Sequence, residues 1–141
     1  GNVYFINTKD KIIIRSGRLE YHKQTKYAYI TEKPVLVKKD KDNAETKVVS
    51  KEMEMFEDTR TANAKGDVKI TRKDIIANCQ LAIYYSKEEK MLLTGDPVAI
   101  QKKNKFRGEK IWIYPKSNKL VLENKVDSEV YLEEKKEENK K

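Results

Sequence analysis

Few side chains in this 141-residue chain have the type and spacing for covalent chemistry. The single histidine, His22, falls in a predicted turn with no Cys or His partner at metal-ligand spacing, so no metal site is expected. Cys79 is the one cysteine. It has no local base to activate it and reads as a buried thiol, and alone it excludes an intrachain disulfide. Asp67 and Asp96 recur in similar Gly-Asp turns. Paired carboxylates are what glycoside hydrolysis uses, but recurrence in step with a repeat marks turn caps instead. No P-loop or dinucleotide fingerprint is present. The expectation is a protein that is not an enzyme and needs no cofactor.

Charge points to anionic partners. The net charge is +8, and charged and hydrophobic residues each make up 38% of the chain. A basic surface suits nucleic acid, acidic lipid headgroups or phosphorylated glycolipids, and it equally keeps a β-rich surface soluble. So much charge beside so modest an apolar share fits a thin or open fold better than a compact ball. No stretch reaches the roughly 18 apolar residues of a membrane helix. No signal peptide is present, and Gly1-Asn2-Val3-Tyr4-Phe5-Ile6 reads as a strand entered at once. The sequence leaves open whether a targeting or anchoring segment has been removed.

The elements that would position these charges come from an internal repeat of about 30 residues. Leu19-Glu20-Tyr21-His22-Lys23-Gln24-Thr25-Lys26-Tyr27 recurs as Met53 to Thr61, as Ile83 to Met91 and as Trp112 to Leu120. In each copy a large apolar residue lies two before a Tyr or Met, on the same face of a strand. Four mostly polar residues follow, then a base: Lys26, Arg60, Lys90 and Lys119. A second strand starts at or just after that base, which is a hairpin signal. Upstream of each hairpin lies a valine: Val3, Val35, Val68 or Val98. Three of the four follow Gly1-Asn2, Gly66-Asp67 and Gly95-Asp96-Pro97. Glycine supplies the positive φ of a turn. Short runs such as Ile12-Ile13-Ile14, Val35-Leu36-Val37, Asp67 to Thr71, Ile75-Ile76-Ala77, Leu81 to Tyr85, Pro97 to Ile100 and Lys119 to Glu123 complete the units. The expectation is about 15 antiparallel strands of about 5 residues. A β domain over 1–132 would precede a charged, disordered tail over 133–141, which has no apolar face to bury.

Stacked repeats place equivalent residues above one another. One predicted row is Leu19, Met53, Ile83 and Trp112; a second is Tyr21, Met55, Tyr85 and Tyr114. Such rows close as a packed core or line a long apolar trough.

The Gly-Asp-Val-x-Ile turn and strand, the strand ending in Tyr, the polar turn and the base together resemble the OstA-like or LptA family of periplasmic lipopolysaccharide-transport proteins. LptC and the periplasmic part of LptD are related to it. Gly66 to Tyr85 and Gly95 to Tyr114 carry the resemblance, and Gly1 to Tyr21 more loosely; the second unit departs, with Lys33-Pro34 for Gly-Asp and Met55 for Tyr. The resemblance implies an all-β, repeat-built, slightly open β-jelly-roll, V-shaped with two antiparallel sheets. It implies no catalysis, an apolar groove for lipid acyl chains, and carriage of lipopolysaccharide-like glycolipid across the periplasm to the outer membrane. It implies related membrane transport components as partners, and end-to-end self-association through edge strands. Here the edges would be Val3 to Ile6, and Leu120 to Leu122 or Val130 to Leu132.

On that reading the groove lining is Leu19, Tyr21, Met53, Met55, Ile70, Ile83, Tyr85, Ile100, Trp112 and Tyr114. Arg15, Lys38, Arg72, Lys102 and Lys103 would meet phosphates at the rim. The cargo, whether lipopolysaccharide, another glycolipid or phospholipid, is left open. Nucleic-acid binding is the alternative that charge suggests, with aromatics interleaved with Lys; it is set aside because those aromatics fall at inward positions of the repeat. A self-polymerising structural β-repeat protein is the other alternative. The uneven spacing of the Tyr/Met positions, 34, 30 and 29 residues, counts against a tight solenoid.

Overall fold

The computed structural model describes residues 2–123. The expected tail over 133–141 and the alternative edge at Val130 to Leu132 lie outside the described residues. Within them the chain is all strand: β1 (Val3–Asn7), β2 (Ile12–Ser16), β3 (Arg18–His22), β4 (Tyr27–Thr31), β5 (Val35–Lys39), β6 (Glu45–Val49), β7 (Glu52–Phe56), β8 (Thr61–Arg72), β9 (Ile75–Tyr85), β10 (Lys90–Thr94), β11 (Val98–Gln101), β12 (Asn104–Arg107), β13 (Lys110–Tyr114) and β14 (Lys119–Glu123). Every pairing is antiparallel. No described helix is long and apolar enough to cross a membrane.

The strands form one fourteen-stranded sheet, folded into two layers. The first layer runs β1, β2, β5, β6, then the second half of β8, the first half of β9, β11 and β12. The second layer runs β3, β4, β7, the first half of β8, the second half of β9, β10, β13 and β14. The family resemblance implies two sheets, and these are the two layers, joined through β8 and β9, which at 12 and 11 residues run continuously through both.

A line of corners makes the fold. At each corner the chain leaves one layer for the other, and the backbone there needs unusual torsions. Gly66 has φ +85° and Asp67 φ 44°, at the bulge where the β8–β9 register shifts between Lys65 and Val68. Lys51 N–H donates to the carbonyls of both Lys65 and Gly66 across this corner. Gly95 has φ +79°, and its carbonyl accepts from Gln80 N–H. A Cβ on Gly95 would stand 2.7 Å from that of Gln80. Glycine is thus required by both torsion and space. The opposite margin of each layer carries the hairpin turns. The fold is therefore closed along its corners and open along its turns, a slightly open jelly-roll of antiparallel strands.

Period-two alternation supplies the interior. Inward side chains of both layers form one buried cluster, including Ile14, Ile30, Met53, Ile70, Leu93 and Ile111. Phe5, Leu19, Leu120 and Leu122 pack against it from the outer strands.

Candidate functional site: a cavity between the layers

The cross-strand registers lay the inward side chains of the second layer in two rows. The row nearer the corners reads Leu19, Ile30, Met53, Ala64, Ala82, Leu93, Ile111, Leu122. The row nearer the turns reads Tyr21, Ala28, Met55, Ala62, Tyr84, Met91, Ile113, Leu120. In the first layer the middle row is apolar, with Leu36 beside Val48 and Val48 beside Ile70. Its row at the open margin is polar where Lys38, Thr46 and Arg72 stand side by side.

Between these surfaces lies a cavity that is open to solvent. Leu36, Val48, Met53, Ala62, Ala64, Ala82 and Met91 make its apolar wall. Lys38, Lys41, Arg72 and Lys116, with Asp40, Asp42 and Glu89, surround its mouth. The interior therefore suits hydrocarbon and the rim suits a charged or polar headgroup.

Two sets of contacts tie the layers across the open margin. Asp10, in the β1–β2 turn, is ion-paired with Arg60, in the β7–β8 turn; the carboxylate side chain is only 2% exposed. Farther along, the buried Arg72 donates to Asp40 Oδ2 at 2.6 Å, to Thr46 Oγ1 at 3.2 Å and to the Pro115 carbonyl at 2.9 Å. Asn118 reaches Asp74 at 3.4 Å beside it. Arg72 and Pro115 both line the cavity, so the second set of contacts forms one side of its mouth.

Two buried groups in the interior are chemically quiet. Burial pushes the Cys79 thiol up to about 12, against a weaker opposing hydrogen bond with the Leu81 backbone. Burial likewise raises Tyr84, which remains a neutral phenol lining the cavity. Among the described residues no cluster of His, Cys, Asp and Glu could hold a metal.

The expected lining divides between the two faces. Leu19, Met53, Met55 and Ile70 point inward, and Met53 reaches the cavity wall. Tyr21 is on the inward face of the edge strand β3, 45% exposed, and donates to Glu57 at 2.6 Å. Ile83, Tyr85, Trp112 and Tyr114 are on the outer face of the second layer, and Ile100 is on the outer face of the first. The predicted rows are corrected at these positions.

The cause is a one-residue slip in the repeat. In the first two copies the base Lys26 or Arg60 is the last residue of the turn, at φ 54° or 55°. In the third and fourth copies that place belongs to Glu89, φ 54°, and Asn118, φ 56°; the bases Lys90 and Lys119 already open the next strand. Aligning on the base therefore shifts the preceding strand by one, which turns every side chain over. The equivalents of Met53 and Met55 are Ala82 and Tyr84, then Ile111 and Ile113. Ile100 fails the same way. Gly95-Asp96 matches Gly66-Asp67 residue for residue, so Pro97 and Ala99 take the buried places of Val68 and Ile70, and aligning on Val98 turns the strand over.

On the outer face the misplaced residues make a cluster of their own. Tyr85 and Trp112 have ring centroids 6.1 Å apart, and Lys90 Nζ stands 4.8 Å from the Trp112 ring. Trp112 also donates to Glu123 at 3.1 Å. Of the five expected rim bases, Lys38 and Arg72 line the mouth, Arg15 is on the outer face of β2, and Lys102 and Lys103 sit in the β11–β12 turn. The alanines of the wall and the Asp10–Arg60 pair escape sequence reasoning. Alanine carries no periodic signal of its own, and the ion pair joins turns 50 residues apart.

Comparison with known proteins agrees with this architecture. The sequence family described as LptA/(LptD N-terminal domain) LPS transport protein matches residues 1–119. The fold is similar to the crystal structure of LptH, the LptA-homologous periplasmic component of the conserved lipopolysaccharide transport device from Pseudomonas aeruginosa. The TM-score is 0.75 at 14% identity, over 86% of this chain and 94% of that one. No curated protein matches the chain. With the repeat, the folded-over sheet and a family match over nearly the whole described chain, this protein belongs to the LptA/LptD N-terminal-domain family of lipopolysaccharide-transport proteins.

Proposed function

We propose that the chain shelters lipid acyl chains between its two layers and acts as a periplasmic component of lipopolysaccharide transport, bridging glycolipid toward the outer membrane. The observation that carries this is the cavity itself, apolar within and charged at the mouth. Each buried methylene contributes about 0.8 kcal/mol to leaving water. An acyl chain held in such a space crosses an aqueous gap without that penalty, while its headgroup stays at the mouth beside the exposed Lys41 and Lys116. End-to-end association through the free edges would extend the shelter from one copy to the next. Mass spectrometry of lipid extracted from the purified protein tests the reading. Co-purified acylated glycolipid or phospholipid supports it; protein that stays lipid-free after exposure to such lipids speaks against it.

A second reading has one observation in its favour. The aromatic and lysine cluster of Tyr85, Trp112, Tyr114 and Lys90 faces outward, where bases can stack. A salt titration with oligonucleotides decides it. Binding that falls steeply with salt favours this reading, and no binding at low salt removes it.

A further inference from the structure

Three alanines line the cavity between the layers. The corner-side row of the second layer is built of large residues except at Ala64 and Ala82, which are direct cross-strand partners. Ala62 adjoins them in the next row and pairs with Tyr84. All three line the cavity, and Met53 and Met91 close in from the neighbouring strands. Away from these alanines the corner-side row carries Ile30, Leu93 and Ile111 and the turn-side row carries Ala28 and Ile113, none of which lines the cavity. The side chains that line the cavity are thus smallest at Ala62, Ala64 and Ala82. Leu36 and Val48 of the first layer also line it.

We infer that the Ala62–Ala64–Ala82 notch sets how much of an acyl chain this protein takes up, and so which chain lengths it prefers. The inference rests on the acyl-binding reading above and deepens it. Its physical basis is volume. Interiors are close-packed, and a methyl side chain where the row otherwise carries isobutyl or longer groups leaves room for several methylenes of a guest. Chain segments beyond that depth meet filled core or solvent and gain nothing. The cross-sheet contacts of Asp10–Arg60 and Arg72–Pro115 hold the layers at fixed spacing, so the notch does not simply widen for a longer guest.

The test is a chain-length series on delipidated full-length protein, using alkyl phosphates of about eight to about sixteen carbons below their micellar concentrations. Affinity of the unaltered protein rises about fourfold per methylene, then levels at a limiting length. Ala64→Leu, which fills the notch from within, moves that limit to shorter chains by about three carbons. Ala64→Val moves it less, and it carries the test if the leucine variant fails a thermal-melting check. A folded Ala64 variant with an unchanged limit overturns the notch as the determinant while leaving acyl binding in place. Unaltered protein that binds no member of the series removes the acyl reading, and the inference with it.

Discussion

Asp10 and Arg60 meet from turns 50 residues apart, and the carboxylate has almost no water of its own. Replacing the carboxylate by an amide removes the counter-charge of Arg60 and sets an NH2 donor where Arg60 and Asn7 both donate. Asp10→Asn is predicted to cost about 1–3 kcal/mol by urea unfolding. It should also speed hydrogen exchange at the β1–β2 and β7–β8 turns. On the outer face of the second layer, Glu54 accepts from the Tyr27 hydroxyl at 2.7 Å and pairs with Lys65 at 3.0 Å. Burial pushes its carboxyl up, but Tyr27, Lys65 and Asn63 together outweigh that and hold it below the usual carboxylate range. A lowered native value means the stabilisation is present above about pH 4.5 and is lost as pH falls through the native value. Thermal melts from neutral to acid pH should therefore show Glu54→Gln less stable than the parent near pH 7, with the gap narrowing below pH 4.5.

At the scale of the elements, the punctuation was legible and the facing was not. Gly66-Asp67 and Gly95-Asp96 declare corners because only such residues take positive φ cheaply. Four-residue polar turns declare hairpins at each repeat. What the sequence hides is register. A base fits equally as the last turn residue, as in Lys26, or as the first strand residue, as in Lys90, and the two choices differ by one position. In a strand one position decides inside from outside, and so Ile83 and Trp112 read as lining when they face out. With the corrected equivalence, the last two repeat spacings are both 29 residues, from Met55 to Tyr84 and from Tyr84 to Ile113. The corners themselves give a prediction. Gly66→Ala forces a side chain into a left-handed torsion, with its Cβ 3.0 Å from the Lys51 side chain. A loss of about 1–2 kcal/mol is expected by denaturant titration, with the fold retained.

At the scale of the whole molecule, the folded-over sheet has two ends. One presents β1 and β3, the other β12 and β14, and each of these strands pairs with only one neighbour among the described residues. Unpaired edges invite strand addition, and the exposed apolar side chains Tyr4 and Ile6 on β1, 55% and 60% exposed, add to that tendency. Sedimentation velocity over a concentration series should reveal short, concentration-dependent oligomers. Phe5→Pro, which removes a donor and fixes φ on β1, should weaken them severalfold if that edge takes part.

Photo-crosslinking by face reads whether acyl chains lie between the layers. A photoreactive residue is placed in turn at Met53, Ala62 and Met91, which line the cavity, and at Ile83, Ile100 and Trp112, which face out. Lipid adducts are expected from the first three and none above background from the others. Equal labelling from both faces, or labelling confined to the outer one, would contradict acyl binding between the layers.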